Sequence, residues 1–99
     1  MNEFLVELEL HVPAGAPEPE VRERMRAESA AAAKLADEGH LVRLWRRSRP
    51  DGGATAVGLY RADSQGELDA LLSALPLAEW LGVTVTPLDP HPNDPPGGS

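Results

Sequence analysis

Residues 3–12, EFLVELELHV, define the first element of the fold. Apolar and polar side chains alternate along this stretch, with Leu5 as the exception, and the apolar series is Phe4, Val6, Leu8, Leu10 and Val12. A period of two residues predicts a β-strand that buries one face. Glutamates and a histidine occupy the alternate positions, so the charged side chains of this strand should lie on the face opposite the core.

A long helix is predicted next. Proline and glycine are frequent in residues 13–19 and end the strand, and a proline in the first turn suits a helix start. The stretch Pro19–Glu38 contains the run Ala30–Ala33, which has high helix propensity, and Gly39 follows as a natural C-terminal cap. A helix of this length spans about 30 Å, the width of a small domain.

The middle of the chain predicts a β-hairpin. Its two strands are Leu41–Ser48, which is rich in Val, Leu, Trp and Arg, and Ala54–Ala62. Between them, Pro50–Gly53 supplies proline, aspartate and two glycines, the residues that tight turns require.

A second helix and a last strand complete the pattern. Ser64 and Glu67 form a capping box ahead of leucines that recur at helical spacing up to Pro76. After a short piece around residues 79–81, Val83–Leu88 is typical of a strand. Proline, glycine and asparagine from residue 90 onward leave little to pack.

The element order βαββαβ in so short a chain indicates an α+β fold, the ferredoxin-like plait. We expect an antiparallel sheet with two helices on one face, and residues 1–89 as its single domain. The uncovered sheet face and the modest apolar content, 41% of residues, favour an oligomer. The tail, residues 90–99, should be disordered or packed on a neighbouring subunit.

Composition excludes several classes of function. The net charge of −7 opposes binding to nucleic acid and to anionic membranes. Cysteine is absent, which removes disulfides, thiolate metal sites and cysteine nucleophiles, and the three histidines lack ligand spacing. The amino terminus lacks the pattern of a signal peptide and no apolar run approaches the length that spans a bilayer, so we expect a soluble cytoplasmic domain, with little support for a metal site.

Glu28 is the first candidate for chemistry. On the helical period it lies within an apolar stripe formed by Val21, Met25, Ala32, Leu35 and Ala36. A carboxylate held against an apolar surface is desolvated, which raises its pKa and makes it a possible general base. The alternative is that Glu28 lies at the edge of the stripe and pairs with a nearby arginine.

The arginine-rich segment 43–49 is the second candidate. Strand alternation places Arg43, Trp45, Arg47 and Arg49 on one face and Arg46 on the other. An arginine there could hold a carboxylate through paired hydrogen bonds, with an indole as a flat wall. The alternative for most of these arginines is an ion pair with Glu7 or Glu9 of the first strand.

From about Phe4 to Pro92 the chain resembles the muconolactone Δ-isomerases, small enzymes of aromatic catabolism in the β-ketoadipate pathway. Each shared motif is weak alone, and it is their order and spacing that carry the resemblance. The motifs are Val12-Pro13, Arg26-Ala27-Glu28 eleven residues before Gly39, Leu44-Trp45-Arg46, Leu75-Pro76-Leu77 followed by Trp80, and His91-Pro92.

The resemblance implies a homodecamer with active sites near subunit boundaries, and a reaction that moves a double bond in an unsaturated lactone without a cofactor. It makes Glu28 the acid/base that removes a proton from one carbon and returns it to another. It makes Arg46 the anchor of the substrate carboxylate or a stabiliser of dienolate charge, with Trp45 and Trp80 as walls.

One stretch departs from the family pattern. Where the family has a polar and aromatic run at the start of the third strand, this chain has residues 53–57, GATAV. The loss of these donors keeps other functions open. Three other functions are considered. The chain could be a non-catalytic protein that binds a ligand or forms a ring, a related isomerase or cyclase with a more apolar biosynthetic substrate, or an oxygenase that needs no cofactor.

Overall fold

The computed structural model describes residues 1–96 and confirms the predicted architecture. A four-stranded antiparallel sheet has the order β2-β3-β1-β4. The elements along the chain are β1 (Asn2–Leu10), α1 (Glu18–Asp37), β2 (Leu41–Ser48), β3 (Ala54–Ala62), α2 (Gln65–Ser73), a 3-10 turn (Ala78–Trp80) and β4 (Leu81–Leu88). This is the ferredoxin-like plait.

The alternation in β1 determines which face of the sheet is covered. Phe4, Val6 and Leu8 are buried, and their partners across the β1–β3 ladder are Tyr60, Gly58 and Ala56. These positions pack with the leucines of the helices into one core cluster, whose buried members are Phe4, Val6, Leu8, Leu35, Tyr60, Ala62, Leu68, Leu72 and Leu75.

Local signals set the ends of the helices. The Ser64 hydroxyl accepts a hydrogen bond from the Glu67 backbone N–H at 3.1 Å, as the capping box predicts. Gly39 follows α1 with φ +82°, a conformation that glycine adopts without strain. The second helix ends at Ser73, before the predicted limit at Pro76, because residues 74–77 turn the chain toward the short 3-10 segment.

The apolar stripe of α1 is narrower than predicted. Leu35 is its buried residue, whereas Met25 is 44% exposed and Ala36 is also exposed. Met25 and Ala32 border a cavity instead of the sheet. The helix therefore leaves a space between itself and the strands, and this space positions the site described below.

The other face of the sheet is charged. Arg47 pairs with Glu7 at 3.4 Å, and Arg49 pairs with Glu9 at 3.0 Å, which confirms the ion pairs considered for these arginines. Arg43 lies over the Trp45 ring, 5.0 Å from its centroid. This face uses most of the arginine-rich segment for contacts within the sheet.

The end of the chain follows β4 without further helix or strand up to residue 96. The Asp94 backbone N–H donates to the His91 carbonyl at 3.0 Å and closes a turn. The predicted tail 90–99 includes residues 97–99, which lie outside the described part, and its packing stays a prediction. Within residues 1–96, no helix combines the length and apolarity needed to cross a bilayer.

Candidate active site

A cavity of about 530 Å³ lies between α1, the sheet and the segment that follows α2. Its lining is mainly aliphatic, with Leu8, Leu35, Leu44, Leu75 and Leu77 among its walls. Ligand sites for small molecules occupy about 300 to 1,000 Å³ and combine apolar walls with a few polar groups. The cavity therefore has the size and surface of a small-molecule site.

A second hollow, of about 600 Å³, lies between α2 and β4. Its acidic side chains, Asp69 and Glu79, are exposed to solvent. The larger hollow therefore contains no desolvated charged group. A desolvated charged group is typical of an active site, so the smaller cavity is the better candidate.

Glu28 lies in the wall of the smaller cavity, halfway along α1. Its Oε1 accepts a hydrogen bond from the backbone N–H of Leu77 at 3.0 Å. Leu77 precedes the 3-10 turn, which has no side-chain cap of its own, so the glutamate satisfies a donor that the turn leaves free. The contact fixes the carboxylate at the junction of α1 and the chain after α2.

The alternative pairing of Glu28 with an arginine is not what the structure shows. Arg24, one helical turn earlier, bonds instead to the Pro76 carbonyl at 3.3 Å and to the carboxylates of Glu20 and Glu79. Among residues 1–96, Glu28 forms no ion pair. Its charge is therefore not neutralised by the described part of the chain.

Burial raises the pKa of Glu28 above its ordinary value, and the hydrogen bond from Leu77 opposes this effect only in part. Desolvation disfavours the charged form of a carboxyl group, which strengthens its affinity for a proton. A half-buried carboxylate of this kind can both accept a proton from a weak carbon acid and return it.

Arg46 and Trp45 line the same cavity from β2. The register pairs Arg46 with Ala56, the position also opposite Leu8, so Arg46 lies on the helix-covered face as the alternation predicts. Arg46 is exposed, and within the described chain it makes no ion pair. Its guanidinium is thus free to bind an anionic group at the cavity mouth. Trp45, which is 45% exposed, also borders the cavity, although the register places it on the charged face of the edge strand β2, where Arg43 lies over its ring.

The structure does not bring Trp80 into this group. Trp80 is 8% exposed, belongs to the 3-10 turn and lies outside the residues that line the cavity. The guanidinium of Arg24 stacks over its ring, 4.4 Å from the centroid. The Trp80 backbone N–H donates to the Leu77 carbonyl at 2.8 Å, so Trp80 belongs to the turn that follows Leu77, and the prediction that it forms a wall of the cavity is wrong.

Tyr60 is a cavity residue that sequence reasoning missed. It is 3% exposed, and burial together with the charge of Glu28 raises its pKa to about 12. The signal was present, because position 60 shares a face with Ala56 and Gly58 in an alternating strand. A tyrosine on an apolar strand face is, however, most often an ordinary core residue.

No group of three or more histidine, aspartate or glutamate side chains in residues 1–96 is arranged to hold a metal ion. His40 bonds through Nδ1 to the Arg61 carbonyl at 2.8 Å, and His91 accepts from the Asn93 N–H at 3.0 Å. The described histidines with polar contacts therefore stabilise loops near the sheet edge and the chain end.

Fold and site together define a class: a ferredoxin-like α+β protein whose first helix places in a small-molecule cavity a carboxylate that has no ion-pair partner in residues 1–96. The family model described as muconolactone delta-isomerase matches residues 2–94. The chain belongs to the muconolactone Δ-isomerase family, which confirms the resemblance seen in the sequence.

Individual relatives agree with this assignment. A muconolactone Δ-isomerase of Cupriavidus pinatubonensis is 31% identical over 90 residues, which cover 91% of this chain and 95% of that protein. One from Acinetobacter baylyi is 26% identical and covers 91% of each chain. A crystal structure of a muconolactone isomerase superimposes with a TM-score of 0.81 at 24% identity, over 93% of both chains, and shows the same fold.

Proposed function

We propose that this protein is an isomerase that moves the double bond of an unsaturated lactone bearing a carboxylate, with Glu28 as the proton carrier. The observation that supports this most is the placement of Glu28, half-buried and without an ion-pair partner in the described part of the chain, in the wall of a cavity of about 530 Å³. Family membership supplies the reaction class, and the chain's own residues supply the acid/base.

The proposed reaction is a 1,3-proton shift. The Glu28 carboxylate removes a proton from carbon, and the electron pair left behind is delocalised into the unsaturated lactone as a dienolate. The protonated carboxyl group then delivers the proton to the other end of the conjugated system, and the double bond has moved. Glu28 is held by the Leu77 N–H on a rigid helix, so one group can reach both carbons without a cofactor.

Substrate binding is assigned to β2. Arg46, free of partners within the described chain, pairs with the substrate carboxylate, and Trp45 contributes to the wall of the same cavity from the edge strand. This arrangement holds the substrate's charge at the cavity mouth and places the lactone ring toward the apolar interior.

The test is direct: purified protein is incubated with muconolactone, and the position of the double bond is followed by proton NMR. Isomerisation faster than the buffer reaction supports the proposal, and an unchanged spectrum at high protein concentration contradicts it. A genomic location beside lactone-forming and lactone-hydrolysing enzymes would support a role in aromatic catabolism.

A second candidate is favoured by the lining of β3. Ala54 and Ala56 contribute methyl groups to the cavity. A less polar wall favours a more apolar lactone or enone as substrate, with the same proton shift at Glu28. Turnover of such a compound with no turnover of muconolactone would select this candidate.

We also propose that the chain assembles into a ring, the homodecamer that the family resemblance implies. Large apolar side chains at the cavity mouth and on β4 are exposed in the single chain, among them Leu44, Trp45 and Val83. Light scattering should give a mass many times that of one chain, and a 10.6 kDa species in dilute solution would contradict the ring. Cytoplasmic location stays a prediction of the sequence.

A further inference from the structure

Tyr60 is the single tyrosine of the chain, and it lies in the cavity wall with Glu28. The strand register pairs it with Phe4 on the covered face of the sheet, in the core of the domain. A buried tyrosine normally gives its hydroxyl a protein partner. Within residues 1–96, the Tyr60 hydroxyl forms no hydrogen bond, and no side-chain oxygen there is both fully buried and unpaired. The hydroxyl therefore borders the cavity space.

The direction of the ring is set by Gly58. A Cβ atom at position 58 would lie 2.5 Å from Cε1 of Tyr60 and 3.2 Å from Cδ1. The hydroxyl-bearing half of the ring thus lies across a glycine, leaning back along β3 toward Ala56 and Leu44, which are cavity residues. A larger residue at position 58 would push the ring out of this place.

Few polar groups of the cavity can donate a hydrogen bond to a ligand in its interior. Ser29 already donates its hydroxyl hydrogen to the Met25 carbonyl at 3.2 Å, and Arg46 lies at the exposed mouth. Among the cavity residues of β3, Ala54 and Ala56 offer no donor, so Tyr60 is the donor that this strand supplies to the interior.

We propose that Tyr60 is a second catalytic residue, whose hydroxyl donates a hydrogen bond to the lactone oxygen that gains negative charge when Glu28 removes the proton. This inference rests on the proposed isomerase function and adds a residue to it. The C–H bond breaks, its proton goes to Glu28, and its electron pair moves onto the conjugated oxygen. The Tyr60 O–H bond stays intact, and the proton on Glu28 later returns to carbon, so no further reactant is needed.

The electrostatics of the pair suit this role. Burial and the Glu28 charge keep the phenol protonated well above neutral pH, so it acts as a donor. When Glu28 takes the proton it becomes neutral, and the negative charge passes to the substrate oxygen beside the phenol. A preorganised donor aimed at charge that appears only during the reaction stabilises the transition state more than the bound substrate.

The first test compares wild-type protein with Tyr60→Phe on muconolactone. Phenylalanine keeps the ring over Gly58 and removes only the hydroxyl, so we expect kcat to fall by about 10- to 100-fold while KM changes little. A variant with wild-type kcat would overturn the inference and leave the proposed function intact. A wild-type protein that isomerises neither muconolactone nor a more apolar lactone or enone would overturn the proposed function, and the inference with it.

The second test does not depend on turnover. Tetronate, the anion of a hydroxylated five-membered lactone, carries the delocalised enolate charge of the intermediate, and 2(5H)-furanone is its neutral counterpart. By calorimetry, Tyr60→Phe should bind tetronate about tenfold more weakly and the furanone with unchanged affinity. Equal losses for both compounds would show that Tyr60 only shapes the cavity, and unchanged binding of both would also overturn its role as a donor.

The single tyrosine provides a further measurement if the phenylalanine variant does not fold. Protein made with 3-fluorotyrosine carries the label only at position 60. Tetronate should shift its fluorine resonance, whereas the neutral furanone should shift it much less. Identical shifts with the two compounds would contradict a hydrogen bond to the enolate oxygen.

Discussion

Replacing Glu28 with glutamine tests proton transfer by this residue separately from its hydrogen bond with the Leu77 backbone. Glutamine keeps a side-chain oxygen that can accept the Leu77 N–H, so the 3.0 Å contact between α1 and the chain after α2 can persist. What glutamine lacks is the ability to take up a proton from carbon. General acid–base catalysis contributes about 10²- to 10⁴-fold, or about 3 to 5 kcal/mol of the barrier, and kcat should fall by that factor.

Alanine at position 28 is the matched comparison. It removes the acceptor as well, leaving the half-buried Leu77 N–H unpaired, which should cost about 1 kcal/mol of unfolding free energy at the low end of such penalties. Both variants should be inactive in the lactone assay, and urea unfolding should show that only the alanine variant is less stable. A glutamine variant within about threefold of the wild-type kcat would remove Glu28 from the reaction.

The raised pKa of Glu28 also predicts how the difference in stability between the wild type and Glu28→Gln depends on pH. The folded chain holds this proton more tightly than the unfolded chain, whose carboxyl group titrates near 4.5. Wild-type stability relative to Glu28→Gln should therefore be greatest below pH 4.5 and fall as the pH rises through the raised folded pKa. A stability difference that is flat across this range, measured by urea unfolding, would contradict the desolvation of Glu28.

Three further predictions test the rest of the site and the core. Arg46→Gln should raise KM for a lactone carboxylate by about tenfold, because a charged hydrogen bond is lost. Arg47 lies on the opposite face in an ion pair with Glu7, so Arg47→Gln should leave KM unchanged in the same assay. Ligand-induced change in tryptophan fluorescence should disappear in Trp45→Phe and persist in Trp80→Phe; the reverse would place the ligand elsewhere. Leu68→Ala, at a fully buried position, should lower the unfolding free energy by about 2 to 5 kcal/mol in urea, and a loss under 1 kcal/mol would show that α2 is not part of the core.

Much of the fold follows from local rules that the sequence displays. The alternation of β1, the Ser64 cap and the glycine after α1 act within a few residues, so they predict elements and their limits closely. The ion pairs of Arg47 and Arg49 with β1 also follow from alternation, once the strands are placed in one sheet.

The parts that could not be predicted depend on packing between distant residues. Helical spacing indicates that Glu28 is on an apolar face, but its bond to Leu77 joins positions 49 apart in the sequence. Arg24 binds the Pro76 carbonyl and the Trp80 ring instead of Glu28, and this too depends on contacts between residues that are distant in the sequence. Tyr60 joins the cavity because Gly58 admits its ring, a relation that no single motif expresses.

The central claim is that one carboxyl group carries hydrogen between two carbons of the substrate. Muconolactone labelled with deuterium at the carbon that loses its proton tests this in a single turnover, read by mass spectrometry and NMR. The account predicts that the product keeps part of the label at the receiving carbon and that Glu28→Gln forms almost no product. Product carrying only solvent hydrogen, formed by Glu28→Gln as fast as by the wild type, would contradict it.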